Sequence, residues 1–238
     1  MTGAQIPLVL VPGMMCDARL FSPQVAHFEA QRPVVVADIT GADTVAELAA
    51  QILAQVEASK FALAGLSMGG IVAMEVARQR PDRLAGLALL DTNPWAEIEA
   101  VQQARGPQMD SVQAGGLLPL MRDQMAPKYT NIRDTQCRHL DLVLAMAEAL
   151  GPEVFLRQSR ALRDRPDQIE TLRSLIGLPG LALAGEEDQL CPPDRHQAIA
   201  EAMPDCTLTL LPGVGHLSTL EAPVAVNRAL ETWLEKIA

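Results

Sequence analysis

Aromatic side chains are scarce in this chain: two Trp, one Tyr and four Phe among 238 residues, against 49% hydrophobic residues in all. A core with so few rings must be filled mainly by aliphatic side chains, and the apolar runs are indeed rich in Ala and Leu. Cationic residues are the minority sign, 19 Lys and Arg against 29 Asp and Glu, for a formal charge of −10. No basic patch offsets that balance, which argues against nucleic-acid binding through phosphate neutralisation. Cys16, Cys137, Cys191 and Cys206 show neither Cys-x-x-Cys spacing nor a Cys/His cluster. Neither a structural zinc site nor a disulfide framework is therefore indicated, and reduced thiols are expected. No apolar run is long enough to span a bilayer, and the stretch from Met1 to Pro7 lacks the basic and apolar regions of a signal peptide. The expectation is a cytoplasmic protein with no membrane partner.

What the chain does have is a run from Phe61 to Gly70, Phe-Ala-Leu-Ala-Gly-Leu-Ser-Met-Gly-Gly, passing directly into Ile71-Val-Ala-Met-Glu-Val-Ala-Arg78. It reads as a buried strand, a tight turn and a helix, with Ser67 at the apex and glycines two residues to either side. Gly65 and Gly69 have no Cβ, so strand and helix can close together there. A helix beginning at Ser67 directs backbone N–H groups and the positive end of its dipole at any anion formed beside the hydroxyl. That is the position of a nucleophile.

Around this unit strands and helices alternate. Apolar runs Ile6–Val11, Val34–Ala37, Phe61–Gly65, Leu84–Leu90, Leu181–Ala184 and Thr207–Leu211 predict six strands. Ser22-Pro23 predicts an N-cap with proline at the first helical position, and Thr44-x-x-Glu47 a capping box. Further helices are expected from the turn at Ser67 to Arg80, from Asp167-x-x-Glu170, from about Pro193 to Met203 and from about Ala222 to Lys236. Between Trp95 and Pro166 the alternation stops: spacing there is helical, as in Leu140–Leu150, with Gly106-Pro107 and Gly115-Gly116 as expected breaks. The domain expectation is a core of residues 1–94 and 167–238 with residues 95–166 inserted as a helical cap. A mostly parallel sheet of six strands, covered by helices on both faces, follows.

Loops at the carboxyl ends of strands collect ligands in such sheets. Gly185-Glu-Glu-Asp188 follows the fifth strand and Pro212-Gly-Val-Gly-His216 the sixth, so Ser67, Asp188 and His216 can converge from three loops. A serine hydroxyl needs an imidazole to accept its proton, and the imidazole needs a carboxylate to hold its tautomer and balance its charge. Glu186 and Glu187 compete with Asp188 in the same loop. Asp91 also ends a strand, but a capping role near Asn93-Pro94 suits it better. His27, His139 and His196 read as ordinary surface or core histidines.

Gly65-Leu-Ser-Met-Gly-Gly70, the Gly-x-x-Asp of Gly185–Asp188, and Gly215-His-Leu217 with Glu221-Ala-Pro223 resemble the α/β-hydrolase superfamily over nearly the whole chain. Within it the layout is similar to small bacterial capped esterases, enol-lactonases and meta-cleavage-product hydrolases. The chain departs from the family's pattern in opening without an antiparallel hairpin and in carrying Pro12-Gly13 where His-Gly is usual. The resemblance implies a two-step acyl transfer to water, with the Met14 and Met68 N–H groups as oxyanion donors and no metal or organic cofactor. The implied partner is a small ester, lactone, thioester or related carbonyl compound. Carbon–carbon bond hydrolysis, acyl transfer or perhydrolysis on the same residues, and a binding role with little catalysis, are the alternative readings. Met15, with Met14, Met68, Met109, Met121, Met125 and Met146, is a candidate pocket residue. Arg122, Arg133, Arg138, Arg157, Arg160 and Arg163 are candidates for holding a substrate carboxylate.

Overall fold

The computed structural model describes residues 5–131 and 138–237. Six strands, β1 (Leu8–Val11), β2 (Val34–Val36), β3 (Phe61–Leu66), β4 (Leu84–Leu90), β5 (Gly180–Gly185) and β6 (Cys206–Leu211), form one sheet in the order β2-β1-β3-β4-β5-β6. Every pairing is parallel. The central strands are continuous Leu/Val/Ala runs because both faces are covered: β1, β3 and β5 are buried along their whole length. The outermost strands β2 and β6 are partly exposed, as the edges of a twisted open sheet are.

Helix α1 (Ser22–Phe28) leads to β2, α2 (Val45–Gln55) to β3, and α3 (Met68–Gln79) to β4. Thr44 caps α2 as expected, its Oγ1 accepting from Glu47 N at 3.2 Å. Ser22 does not cap α1. A 3-10 turn over Ala18–Phe21, capped by Asp17, runs straight into the helix, and Ser22 Oγ donates to Arg19 O instead.

Between β4 and β5 stand α4 (Glu99–Gln113), α5 (Leu117–Leu120), a π-helical turn (Met121–Met125), α6 (Leu140–Arg163) and α7 (Ile169–Ser174). The fold is thus an α/β-hydrolase sheet with a helical insertion. Gly106-Pro107 is not a break: α4 continues through it, packed along α6, so tertiary contact offsets the hydrogen bond that Pro107 cannot donate. Gly115-Gly116 does end α4, with Gly115 at φ +93°. The helix begun at Leu140 turns at Gly151 (φ 78°, ψ 175°), a conformation open to glycine, and resumes from Pro152. The chain closes with α8 (Pro193–Ala202), α9 (Ser218–Glu221) and α10 (Pro223–Leu234).

Register brings the strand ends level. Val11 lies beside Gly65, Leu66 beside Leu90, and Gly185 beside Leu211. The loops after β1, β3, β4, β5 and β6 therefore open along one edge of the sheet, beneath the insertion.

Candidate active site

Ser67 sits between β3 and α3 with φ 56° and ψ −118°, a backbone conformation disfavoured for an L-residue. The turn holds because its flanks have no side chains. A Cβ on Gly65 would lie 2.3 Å from Gly69 O, and one on Gly69 would lie 2.0 Å from Val11 O. Ser67 N–H donates to Leu90 O at 2.9 Å, and Ser67 O accepts from Thr92 Oγ1 at 2.6 Å, so β4 braces the apex. Met68 opens α3, and its amide lacks the acceptor that an earlier turn would supply. Met14 N–H, in the loop after β1, has no acceptor among the described residues.

His216 is buried in the loop after β6, and its Nδ1 lies 2.8 Å from Asp188 Oδ2. The other oxygen of Asp188 accepts from Leu190 N at 2.8 Å and Cys191 N at 2.9 Å. Burial raises the pKa of Asp188, but the His216 charge, their hydrogen bond and the two backbone donors outweigh it and leave the carboxyl below its usual range. Burial alone would lower the pKa of His216. The charge and hydrogen bond of Asp188, then the charges of Asp91 and Glu221, leave it raised instead. Glu221 also shapes this loop, accepting from Gly215 N at 3.1 Å and Leu217 N at 3.2 Å.

Ser67, His216, Met14 and Met68 all border one cavity of about 450 Å³. Asp188 stands behind the imidazole. Met125, from the insertion, joins the lining, but Met109, Met121 and Met146 lie outside it. Met15 also lies outside: it is fully buried, with φ 56°, and gives its N–H to Gln158 Oε1 at 2.9 Å. The alternation of side chains in the loop turns Met14 toward the cavity and Met15 into the core.

None of the described candidate arginines borders the cavity, and Arg133 lies outside the described residues. The arginines that do are Arg105, Arg165 and Arg195. Helical spacing cannot distinguish these from their neighbours, because only the packing of the insertion, which carries Arg105 and Arg165, and of α8, which carries Arg195, brings them to the cavity.

Asp91 is not a cap for the Asn93-Pro94 turn, a task done by Asn93 Oδ1 accepting from Trp95 N at 3.0 Å. Asp91 is fully buried with φ 44°. Its carboxyl accepts from Gly185 N at 3.0 Å and from Ser218 Oγ, linking the loops that carry Asp188 and His216. Burial first, and then the charge of Asp188, hold its pKa well above the usual carboxylate value.

The carboxylate of Asp188, the thiol of Cys191 and the ring of His216 lie within 4.8 Å of one another. Both oxygens of Asp188 are engaged, and burial with the nearby carboxylates keeps Cys191 protonated.

Fold and site together define a class. Residues 8–229 match the model of the alpha/beta hydrolase family, and the chain belongs to that family. It is similar to the dihydrolipoyllysine-residue acetyltransferase component of the acetoin cleaving system of Pseudomonas putida, at 27% identity over 97% of this chain. The chain spans 64% of that relative's length. A protein of Pseudomonas savastanoi pv. phaseolicola named for carbamate hydrolysis is 27% identical, over 95% of this chain and 93% of its own. Among solved structures, a thermophilic esterase from Thermogutta terrifontis, with malate bound, superposes with a TM-score of 0.88 at 28% identity. That match covers 99% of this chain and 92% of the esterase.

Proposed function

We propose that the protein is a serine hydrolase that cleaves a small carboxylic ester, lactone or thioester through an acyl-enzyme. The observation that carries this reading is the His216 Nδ1–Asp188 Oδ2 contact of 2.8 Å, with His216 facing the same cavity as the strained Ser67. In this reading His216 Nε2 takes the proton of Ser67 as its Oγ attacks the carbonyl carbon. The N–H groups of Met14 and Met68 receive the developing oxyanion. His216 then protonates the leaving oxygen or sulfur and activates the water that releases the acid. Residues 95–166 act as a cap, and the presence of Arg105, Met125 and Leu162 in the cavity lining supports that role.

The test is turnover of p-nitrophenyl esters of increasing acyl length by wild type and by Ser67→Ala. The variant is expected to lose at least about a thousandfold in kcat, with its circular dichroism unchanged and no labelling by a fluorophosphonate. Undiminished turnover in Ser67→Ala would overturn the mechanism. Acyl transfer to an acceptor other than water is the second reading, favoured by the likeness to the Pseudomonas putida acetyltransferase component. Product analysis with competing alcohol and thiol acceptors separates the two.

A further inference from the structure

The charged residues that line the cavity do not balance. Glu97 is the one lining carboxylate among the described residues, and it faces two guanidinium groups: Arg105 Nη2 at 2.5 Å and Arg165 Nη1 at 2.8 Å. All three side chains are nearly out of water, at 11%, 7% and 6% exposure for Arg105, Arg165 and Glu97. Arg165 Nε donates to Trp95 O at 2.9 Å, while Arg165 Nη2 has no protein acceptor among the described residues. Arg195 also lines the cavity, its guanidinium 4.7 Å above the Trp95 ring; its Nη1 pairs with Asp194 Oδ2 at 2.8 Å, while its buried Nε has no partner among the described residues. With Arg195 paired to Asp194, the Glu97 carboxylate against the guanidinium groups of Arg105 and Arg165 leaves one positive charge on this wall, in a chain whose formal charge is −10.

Two guanidinium groups held out of water on a single carboxylate carry an excess charge that is unfavourable unless a second anion completes it. Burial already lowers the pKa of Arg165, with Glu97 opposing that effect and Arg105 adding to it. A planar fork with free N–H donors matches a carboxylate in two parallel hydrogen bonds. A cavity of 450 Å³ is roughly 10 Å across if taken as a sphere, so a carboxylate on this wall lies a few bonds from a carbonyl at Ser67.

We propose that Arg165, with Arg105 and Arg195, forms an anion subsite, and that the substrate is an ester or lactone bearing a free carboxylate. This rests on the serine-hydrolase reading above. The carboxylate can sit on the acyl side of the scissile bond or on the alcohol side, and the test separates them. Monomethyl glutarate is compared with methyl valerate, and butyryloxyacetate with propyl butyrate, by proton release.

Wild type is expected to favour at least one carboxylated member by tenfold or more in kcat/KM, and the favoured pair identifies the side. Arg165→Gln is expected to reduce that ratio at least tenfold, and Arg165→Lys to keep part of it. A purely structural arginine would depress both members of a pair alike and leave the ratio unchanged. A wild-type ratio at or below one in both pairs overturns the subsite while leaving the hydrolase reading intact.

Calorimetric titration with glutarate gives a readout that does not depend on turnover. Binding to wild type and to Ser67→Ala, weakened at least tenfold in Arg165→Gln, supports the subsite. Absence of binding to wild type overturns it. No turnover of any ester and no fluorophosphonate label would instead overturn the hydrolase reading, and the titration then decides the subsite by itself.

Discussion

Asp188 and His216 show how a single contact can move the pKa values of both partners. Asp188 is held ionised by His216 and two backbone donors, and His216 is held above its usual 6.5 by Asp188 against the opposing effect of burial. In the proposed mechanism the base must be neutral to accept the Ser67 proton, so activity is expected to fall as pH drops through this raised pKa. The acidic limb of kcat/KM is expected above pH 6.5. Asp188→Asn removes the charge and leaves burial dominant, which moves the limb to lower pH and lowers kcat by up to about 10⁴-fold. The pH–rate profiles of the two proteins check this, and a limb that stays in place in the variant would contradict it. His196 is the contrasting case. Also buried, it accepts the Thr92 N–H at 2.9 Å on Nε2, and burial pushes its pKa down to about 4. With no carboxylate bonded to it, it stays neutral and cannot produce that limb.

At the scale of elements, the site is an alignment of five strand ends, and Asp91 ties three of them together. Asp91→Ala leaves the Gly185 N–H and the Ser218 hydroxyl without their buried acceptor and is expected to cost about 1–3 kcal/mol of stability. Asp91→Asn retains a carbonyl oxygen for Gly185 and an amide for Ser218. Because the folded pKa of Asp91 is raised, its contribution is fully present below the ordinary carboxylate value and is lost as pH rises through the folded pKa. The asparagine variant escapes that loss, so its melting temperature relative to wild type is expected to rise from pH 5 to pH 8. Thermal melts across that range decide it, and a difference independent of pH would count against a raised Asp91.

At the scale of the whole molecule, the insertion and the sheet are coupled. Gln158, on α6, receives the Met15 N–H at 2.9 Å and donates to Ile39 O at 3.3 Å, so the insertion fixes the loop that also carries Met14. Gln158→Ala is expected to cost about 1–3 kcal/mol in chemical denaturation. It should also lower kcat by up to about a hundredfold with KM nearly unchanged, since it displaces the proposed oxyanion donor rather than a substrate contact. An unchanged kcat would separate the Met14 amide from the chemistry. Glu75 ties α3 to the segment that follows the insertion. It is buried on α3 and accepts from Arg78 Nε at 2.8 Å, Gln79 Nε2 at 2.9 Å and, just beyond the insertion, Gln168 Nε2 at 2.9 Å. No helix among the described residues is long and apolar enough to cross a membrane.

Much of this was legible along the chain because its cause is local. Buried parallel strands need uninterrupted apolar runs, and the six expected strands agree with the observed ones to within two residues at each end. The glycines around Ser67 mark a turn that no side chain fits, and the loops after β5 and β6 hold Asp188 and His216 wherever a parallel sheet places them. Other features depend on partners far apart in sequence. Asp91 and Ser218 are 127 residues apart, and Met15 and Gln158 are 143 apart. Gly106-Pro107 looks like a break until α6 packs against it. Arg105, on α4, and Arg165, just past the end of α6, look like any surface arginines until the insertion folds them against Glu97. Local sequence dictates backbone conformation and burial, which depend on neighbouring residues. Which charges share a cavity, and with what net sign, depends on how distant segments pack, and the tertiary structure alone settles that.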